Sequence, residues 1–247
     1  MKRILCLLAV MMMLFGAACA DTKADDGYPF SIFYGDESVN KIAITMDDCF
    51  ELDKLEATVD LCIKYGVKMT VFPLGEKILP EDRELWQKIV DAGFEIGSHS
   101  MGHGYFYNMD NRTIISSLCR TQEALDKTLG YHYEIRWVRP PFGKLKNPDN
   151  GESSARVISA MRKAGYNHAL LWNVSQAADE EKCVRQTKNG CIMLFHARNK
   201  DVKTLEYVIP RLLEKGFEMV TVSELLGFDP PEISEELYVY DWNDYKD

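Results

Sequence analysis

The 247-residue sequence lacks an even set of cysteines beyond residue 20, an excess of positive charge and more than one long apolar run, and each absence excludes a class of protein. Five cysteines lie beyond residue 20; five is odd, so no disulfide framework can use them all, and their spacings match no zinc ribbon. Lysine and arginine number 29 against 38 acidic residues, so the formal net charge is −9 at pH 7. This balance argues against a nucleic acid as partner.

The one long apolar run covers residues 4–20 and predicts an export signal. It follows two basic residues and ends in small residues, which is typical of a cleaved leader over residues 1–20 rather than of a membrane span. Cleavage after Ala20 and lipidation at Cys19 both fit, and Gly16, where lipoproteins usually have Leu, favours simple secretion. We expect an extracytoplasmic protein, secreted or held at the bacterial cell surface only through a lipidated Cys19.

Glycines divide the middle of the chain into alternating helices and strands. Six of them close a polar-apolar stretch and open an apolar run, as the left-handed residue after a helix does: Gly66, Gly93, Gly130, Gly165, Gly190 and Gly216. The apolar runs predict seven strands, at 41–45, 67–72, 94–97, 135–138, 168–172, 191–195 and 217–220. Strict alternation implies parallel strands, in a doubly wound sheet or a barrel.

Polar residues at the strand ends favour the barrel. Six of them directly follow a predicted strand: Asp47, Asp48, His99, Arg139, Asn173 and His196. In a barrel they would converge on the rim formed by the carboxyl ends of the strands, where barrel active sites lie. We therefore predict an α/β fold, a distorted (β/α) barrel of about seven parallel strands.

Two histidines and two aspartates at these ends suggest a metal site. His99 and His103 are four residues apart, so a helical turn there would point both imidazoles the same way. With a carboxylate from another strand they would give three ligands and an open position, as in catalytic zinc sites. Adjacent side chains cannot point the same way, so of Asp47 and Asp48 one can bind metal while the other holds or deprotonates water. Ordinary structural histidines and an Asp that caps the next helix are the open alternatives.

Four short motifs, in order, resemble those of the polysaccharide deacetylases of the NodB homology type, carbohydrate esterase family four. Thr-Met-Asp-Asp-Cys at 45–49 resembles Thr-Phe-Asp-Asp-Gly, and residues 99–103 match His-Ser-x-x-His. Arg-Pro-Pro-Phe-Gly at 139–143 is similar to the third motif, and Met-Leu-Phe-His at 193–196 to the last one, Leu-x-His. The resemblance covers about residues 40 to 228.

These matches imply a domain organisation. We expect an N-terminal linker over 21–39 and a NodB-like catalytic domain over 40–228. An acidic aromatic tail over 229–247 follows, which either packs on the barrel through its aromatic side chains or stays loose.

The resemblance also implies roles for the matched residues. Asp48, His99 and His103 would hold a divalent metal ion, most often zinc. Asp47 would be the general base. Arg139 would pair with Asp47, and His196 would be the general acid.

The expected reaction is hydrolysis of N- or O-acetyl groups of a glycan of the peptidoglycan, chitin or xylan kind. Four residues beside the motifs are expected to contact the sugar, although core packing is an open alternative for the aromatic ones among them: Tyr105, Pro141, Phe142 and Trp172.

The sequence departs from the family pattern at two places. A fourth motif, whose carboxylate orients the final histidine, falls by count on Ser175, Ala178 and Asp179. His196 would then lack that partner unless Asp179, one residue late, replaces it. Cys49 stands where the family has Gly, beside the expected metal ligands, and a thiol there could tune or poison the site.

Two further functions are open. The altered fourth motif motivates a deacetylase-like carbohydrate-binding protein that keeps metal but turns over slowly. A barrel hydrolase of non-sugar amides is also compatible, because the metal chemistry is indifferent to what carries the acyl group. The otherwise intact set of polar residues favours the deacetylase.

Overall fold

The computed structural model describes residues 27–146, 151, 154–175 and 179–245. The predicted leader, Cys19 and Ala178 lie outside these described residues. Within them the strands are β1 (Ser31–Ile32), β2 (Lys41–Asp48), β3 (Met69–Pro73), β4 (Glu95–Ile96), β5 (His132–Tyr133), β6 (Ala169–Leu170), β7 (Ile192–His196), β8 (Glu218–Val220) and β9 (Ile233–Ser234). The helices are α1 (Leu52–Tyr65), α2 (Arg83–Asp91), α3 (Asn111–Leu129), α4 (Ala155–Lys163), α5 (Glu180–Gln186), α6 (Asn199–Glu214) and α7 (Val222–Leu226).

Parallel pairing runs around the molecule and returns to the central strand. β2 pairs in parallel with β3, with β7 and, over its first three residues, with β8, while β4 pairs with β3. Single parallel bridges continue the circuit from Ser98 to Val138, from Val138 to Ala169 of β6, and from Val174 to Met193 of β7. The predicted fold is confirmed: the chain forms a distorted α/β barrel of parallel strands.

The barrel is filled and covered as the hydrophobic pattern predicts. From Ile42 onward every residue of β2 is buried, as expected of a strand covered on both faces. On α1 the buried side chains Leu55, Val59 and Cys62 recur at helical spacing, whereas the adjacent Ile63 is 47% exposed. In the described part of the chain, no helix is long and apolar enough to cross a membrane.

The strand predicted at 135–138 is reduced to the single residue Val138, which bridges to Ser98 and to Ala169. The backbone before it takes other partners: Ile135 N–H donates to the Gln122 side chain at 2.9 Å, and Glu134 N–H donates to the Glu232 carbonyl at 2.9 Å. β5 forms earlier in the chain instead and pairs antiparallel with β9. Propensity alone does not predict this exchange, because the competing acceptors come from distant segments.

Both ends of the described chain pack on the barrel. β1, within the expected linker, pairs in parallel with β6. The acidic tail packs rather than staying loose: Tyr238 N–H donates to the buried Asp126 carboxylate at 2.8 Å, and the Arg112 guanidinium lies 4.8 Å from the centre of the Trp242 ring. The aromatic side chains of the tail thus account for its position.

Candidate functional site

The end of β2 presents two carboxylates to one histidine. Asp48 and Cys49 have positive φ, 67° and 57°, which turns the backbone out of the alternating strand pattern. As a result Asp47 Oδ2 and Asp48 Oδ1 lie 3.9 and 3.4 Å from the same atom, His99 Nε2. The expectation that adjacent side chains must diverge is therefore wrong here. Strained backbone of this kind is concentrated at functional sites.

Both histidines reach Asp48, although the loop that carries them is not helical. Ser100 has φ 69°, and residues 101–103 form bends, so the helical turn that would have aligned the two rings does not form. His103 Nε2 nevertheless lies 3.4 Å from Asp48 Oδ1. Burial, with the neighbouring His99, lowers the pKa of His103, which favours the neutral imidazole that metal ions bind.

The three side chains fit a metal ion. Their ligand atoms all lie within 4.8 Å of one another. His99 Nδ1 lies 2.7 Å from the Arg139 carbonyl, a distance at which the ring donates its proton there and keeps a lone pair on Nε2. That lone pair faces Asp48 Oδ1, which is buried and has no hydrogen-bond partner among the described residues. Two electron-rich atoms 3.4 Å apart are stabilised by a cation between them.

Arg139 holds Asp47 beside this site. The guanidinium is fully buried and donates to Asp47 Oδ1 at 2.6 Å and to Thr45 Oγ1 at 2.7 Å. It also lies 4.4 Å from the centre of the Phe72 ring. Burial lowers the pKa of Arg139, and the neighbouring Asp47 opposes this change through its charge and its hydrogen bond.

His196 lies on the neighbouring strand, in register with Asp47. Its side chain is 30% exposed, and its Nδ1 lies 3.8 Å from Oδ2 of Asp201, a 4% exposed residue in the first turn of α6. Sequence reasoning missed Asp201. An acid five residues after the final histidine, at the start of a helix, is the signal that could have identified it.

Arg198 was also missed. Its Nη2 lies 3.3 Å from Asp48 Oδ2, the oxygen that does not face the histidines, and its side chain is 55% exposed. A half-exposed cation thus lies against a carboxylate of the site.

The family model for polysaccharide deacetylases matches residues 34–169, more than half of the chain. The chain belongs to the polysaccharide deacetylase family.

Similar proteins within the family include an enzyme and a pseudoenzyme. The peptidoglycan-N-acetylglucosamine deacetylase of Bacillus cereus is 27% identical over 201 residues, which cover 76% of this chain and 88% of that protein. The solved deacetylase Bc1960, bound to 4-naphthalen-1-yl-N-oxidanyl-benzamide, is 21% identical with a TM-score of 0.68, over 82% of this chain and 95% of that one. The family pseudoenzyme BA3943 from Bacillus anthracis has the same TM-score and identity, over 80% and 69% of the two chains. The solved structures thus share the fold.

The fourth motif of the family is displaced in this chain. Ser175 is exposed, and Asp179 is an exposed cap of α5 whose Oδ1 accepts the Lys182 N–H at 2.8 Å. Asn173 accepts the Ile192 N–H at 2.9 Å through its side chain. The structure therefore does not bring Asp179 to His196, and the carboxylate beside that ring belongs to Asp201.

Cys49, where the family has Gly, is sealed off from ligands. The side chain is fully buried in the core, and burial, with the charges of Asp47 and Asp48, raises the pKa of its thiol well above the ordinary value. A neutral thiol is a poor metal ligand and a poor nucleophile.

The four residues expected to contact sugar differ in exposure. Phe142 is 53% exposed, and its ring centre lies 4.3 Å from that of His103. Tyr105 and Trp172 are half-buried, and Tyr105 donates its hydroxyl to the Lys146 carbonyl at 2.7 Å. Pro141 is buried. Phe142 thus presents the largest surface to a ligand at this rim.

Proposed function

We propose that this chain is a metal-dependent deacetylase that hydrolyses acetyl groups of a glycan. The observation that carries the proposal is the unpartnered, buried Asp48 Oδ1 facing the lone pair of His99 Nε2, with His103 completing the ligand set. A divalent metal ion held there, zinc being the first choice for two imidazoles and a carboxylate, supplies Lewis-acid activation of water and of the acetyl carbonyl when bound.

The surrounding residues divide the proton transfers between them. Asp47 takes the proton of the attacking water, and Arg139 holds Asp47 in position through its 2.6 Å hydrogen bond. His196 gives a proton to the departing sugar nitrogen or oxygen as its bond to the acetyl carbon breaks. Arg139 is buried and paired, so it positions the base rather than exchanging a proton.

The proposed substrate is an acetylated glycan, with peptidoglycan as the first choice. Support comes from the similar Bacillus cereus protein, a peptidoglycan-N-acetylglucosamine deacetylase, and from the exposed ring of Phe142 beside His103, which offers a stacking surface for a sugar. Tyr105 and Trp172 extend this surface in the proposal, while Pro141 shapes the turn from below. A cell-wall substrate also agrees with an extracytoplasmic location, secreted or anchored through Cys19.

Acetate release tests the proposal. The purified protein is incubated with N-acetylglucosamine oligomers, acetylated xylan and peptidoglycan, each with added zinc and with chelator. Release that the chelator abolishes and zinc restores is the expected result. Activity on small amides or cyclic imides, with none on any acetylated glycan, would instead identify a hydrolase of non-sugar amides.

A second candidate is a carbohydrate-binding protein with weak turnover. The altered fourth motif supports it: Asp179 caps α5, and Ser175, at the first acidic position of the motif, carries no charge. The shared fold of the pseudoenzyme BA3943 shows that this architecture also occurs without activity. Binding of a glycan oligomer by the metal-loaded protein, with no acetate released from any substrate, is the result that this candidate predicts.

A further inference from the structure

Asp201 is a buried acid that makes two polar contacts with His196. Its Oδ2 accepts the His196 backbone N–H at 3.0 Å and lies 3.8 Å from Nδ1 of the same residue's ring. The side chain of Asp201 is only 6% exposed, whereas that of His196 is 30% exposed. Asp201 is thus shielded from solvent, whereas the His196 ring beside it is accessible.

Asp201 lies in the first turn of α6, where the helix dipole favours an acid, but an exposed acid would meet that need equally well. α6 begins at Asn199 after Arg198, and no side-chain cap is made by Arg198. Burial raises the pKa of Asp201, so the folded chain bears a cost for enclosing this carboxyl group. Three neighbours oppose this rise in the pKa of Asp201: His196 first, through its backbone N–H and its ring, and then the charges of Arg198 and Lys200.

The other acids and amides near the final histidine have different partners. Asp179 caps α5, and Asn173 is engaged with the Ile192 N–H. Ala197, directly after His196, carries no charge. Within the described ranges, Asp201 is the carboxylate that lies within 4 Å of a ring nitrogen of His196.

We infer that Asp201 is the positioning residue for His196 and replaces, from the start of α6, the carboxylate that the fourth motif lacks. Asp201 fixes the proton on Nδ1 and leaves Nε2 as the nitrogen that serves the substrate. The separation of 3.8 Å is longer than a hydrogen bond, and we expect it to shorten when substrate binds, as catalytic hydrogen bonds often do. This inference rests on the proposed function in one respect: that function supplies the leaving group that receives the proton from His196.

The proton balance assigns Asp201 no transfer of its own. The His196 ring takes a second proton, on Nε2, from solvent and gives it to the departing nitrogen or oxygen while the bond from that atom to the acetyl carbon breaks. Asp47 then returns the proton taken from water to the solvent. Asp201 keeps its negative charge throughout and stabilises the ring before transfer.

The first test reads the ring directly and needs no activity. The full chain is labelled with ¹⁵N, and the ring nitrogens of its five histidines are recorded at a pH where they are neutral, with His196 assigned by the loss of its signals in His196→Gln. We expect the Nδ1–H form of His196 in the parent protein and a shift toward the Nε2–H form in Asp201→Asn. Asn keeps an oxygen that can accept the His196 backbone N–H, so the change isolates the charge. An unchanged tautomer in Asp201→Asn would overturn the inference.

The second test uses the leaving group. Asp201→Asn is expected to lower kcat on N-acetylglucosamine oligomers about 10- to 100-fold with little change in KM. It should barely affect 4-nitrophenyl acetate, whose leaving group needs no proton. Asp179→Asn, a matched change at an acid away from His196, should leave both rates within about twofold. Equal losses on both substrates in Asp201→Asn would show a structural role and contradict the inference.

A double variant separates this inference from the proposed function. In a His196→Gln background, Asp201→Asn should cause no further loss, because the two residues act as one unit. If the parent protein releases no acetate but Asp201→Asn shifts the His196 tautomer, the pairing stands and the proposed function fails. If the parent protein releases acetate but Asp201→Asn changes neither the His196 tautomer nor the rates, the proposed function stands and the pairing fails.

Discussion

Adjacent aspartates at the end of β2 have different neighbours, and the roles proposed for them rest on this difference. Asp47 is held by the Arg139 guanidinium at 2.6 Å, whereas Asp48 Oδ1 faces two imidazoles at 3.4 Å each. The positive φ of Asp48 allows both carboxylates to lie near His99 Nε2. A base and a metal ligand can thus be neighbours in the chain without competing for one partner.

Substitutions at these residues should separate metal binding from turnover. We expect Asp47→Asn to keep its metal and lose about 10²- to 10⁴-fold in kcat, because only the base is removed. His103→Ala should lose both metal and turnover. Metal content by mass spectrometry and acetate release on the same samples check this, and loss of metal from Asp47→Asn would reverse the assignment of the two carboxylates.

The cysteine beside the site should be chemically silent. Cys49 is fully buried and its thiol pKa is raised well above the ordinary value, so the thiolate that reacts with alkylating agents is scarce across the neutral and mildly alkaline range. Iodoacetamide at pH 8 should leave Cys49 unmodified in the folded protein and modify it in guanidinium, as measured by peptide mapping. Rapid modification of the folded protein would show that the thiol reaches the site.

At the scale of elements, periodicity predicted the strands and helices where local pattern and packing agree. The strand predicted at 67–72 forms as β3, shifted by one or two residues. Of the strand predicted at 135–138, only Val138 makes strand bridges, because the Ile135 N–H donates to the Gln122 side chain instead. The site motifs were readable because each follows a strand. The left-handed Asp48 and the pairing with Asp201 were not, since neither a strained non-glycine backbone nor a contact from the next helix has a local signature.

The strand-end segment of the histidine motif depends on close packing at Gly97. A Cβ there would lie 2.6 Å from Phe72 Cδ1 and 3.0 Å from the Trp137 carbonyl. The Phe72 ring is fully buried beneath the Arg139 guanidinium, so its displacement would disturb the partner of Asp47. We expect Gly97→Ala to lower the free energy of unfolding by about 1–3 kcal/mol and to reduce kcat as well.

Chemical denaturation and kinetics on the same preparation check the Gly97→Ala prediction. Gly151→Ala is the matched control, because a Cβ there meets no atom within 4 Å, although its φ of 71° adds backbone strain of its own. Equal activity per folded molecule in Gly97→Ala and the parent would refute the link between this packing and Arg139.

At the scale of the whole molecule, the tail begins at the end of the barrel opposite the site and runs along α3 as far as Arg112. The tail pairs with β5, which precedes Val138, and its Tyr238 N–H reaches Asp126, a fully buried carboxylate that His132 also contacts at 2.7 Å. Arg139 and the other site residues follow the strands at the opposite rim. Stability and catalysis should therefore respond separately to changes in the tail.

A chain that ends at residue 228 should be less stable and equally active per folded molecule. It loses the packing of the tail aromatics and leaves Asp126 without the Tyr238 N–H, which together should cost at least about 2 kcal/mol of unfolding free energy. A chain that ends at residue 245 is the control. A fall in kcat/KM for the shorter chain under conditions where it is fully folded would show that the tail acts on the site.

The central claim is that turnover depends on one metal ion at Asp48, His99 and His103. The most direct measurement is to strip the protein with chelator, restore zinc in steps, and record bound metal and acetate release in each sample. We predict that release is absent without metal and rises in proportion to occupancy until one equivalent is bound per chain. Full release from the stripped protein, or none at one equivalent on any acetylated glycan, would contradict the account.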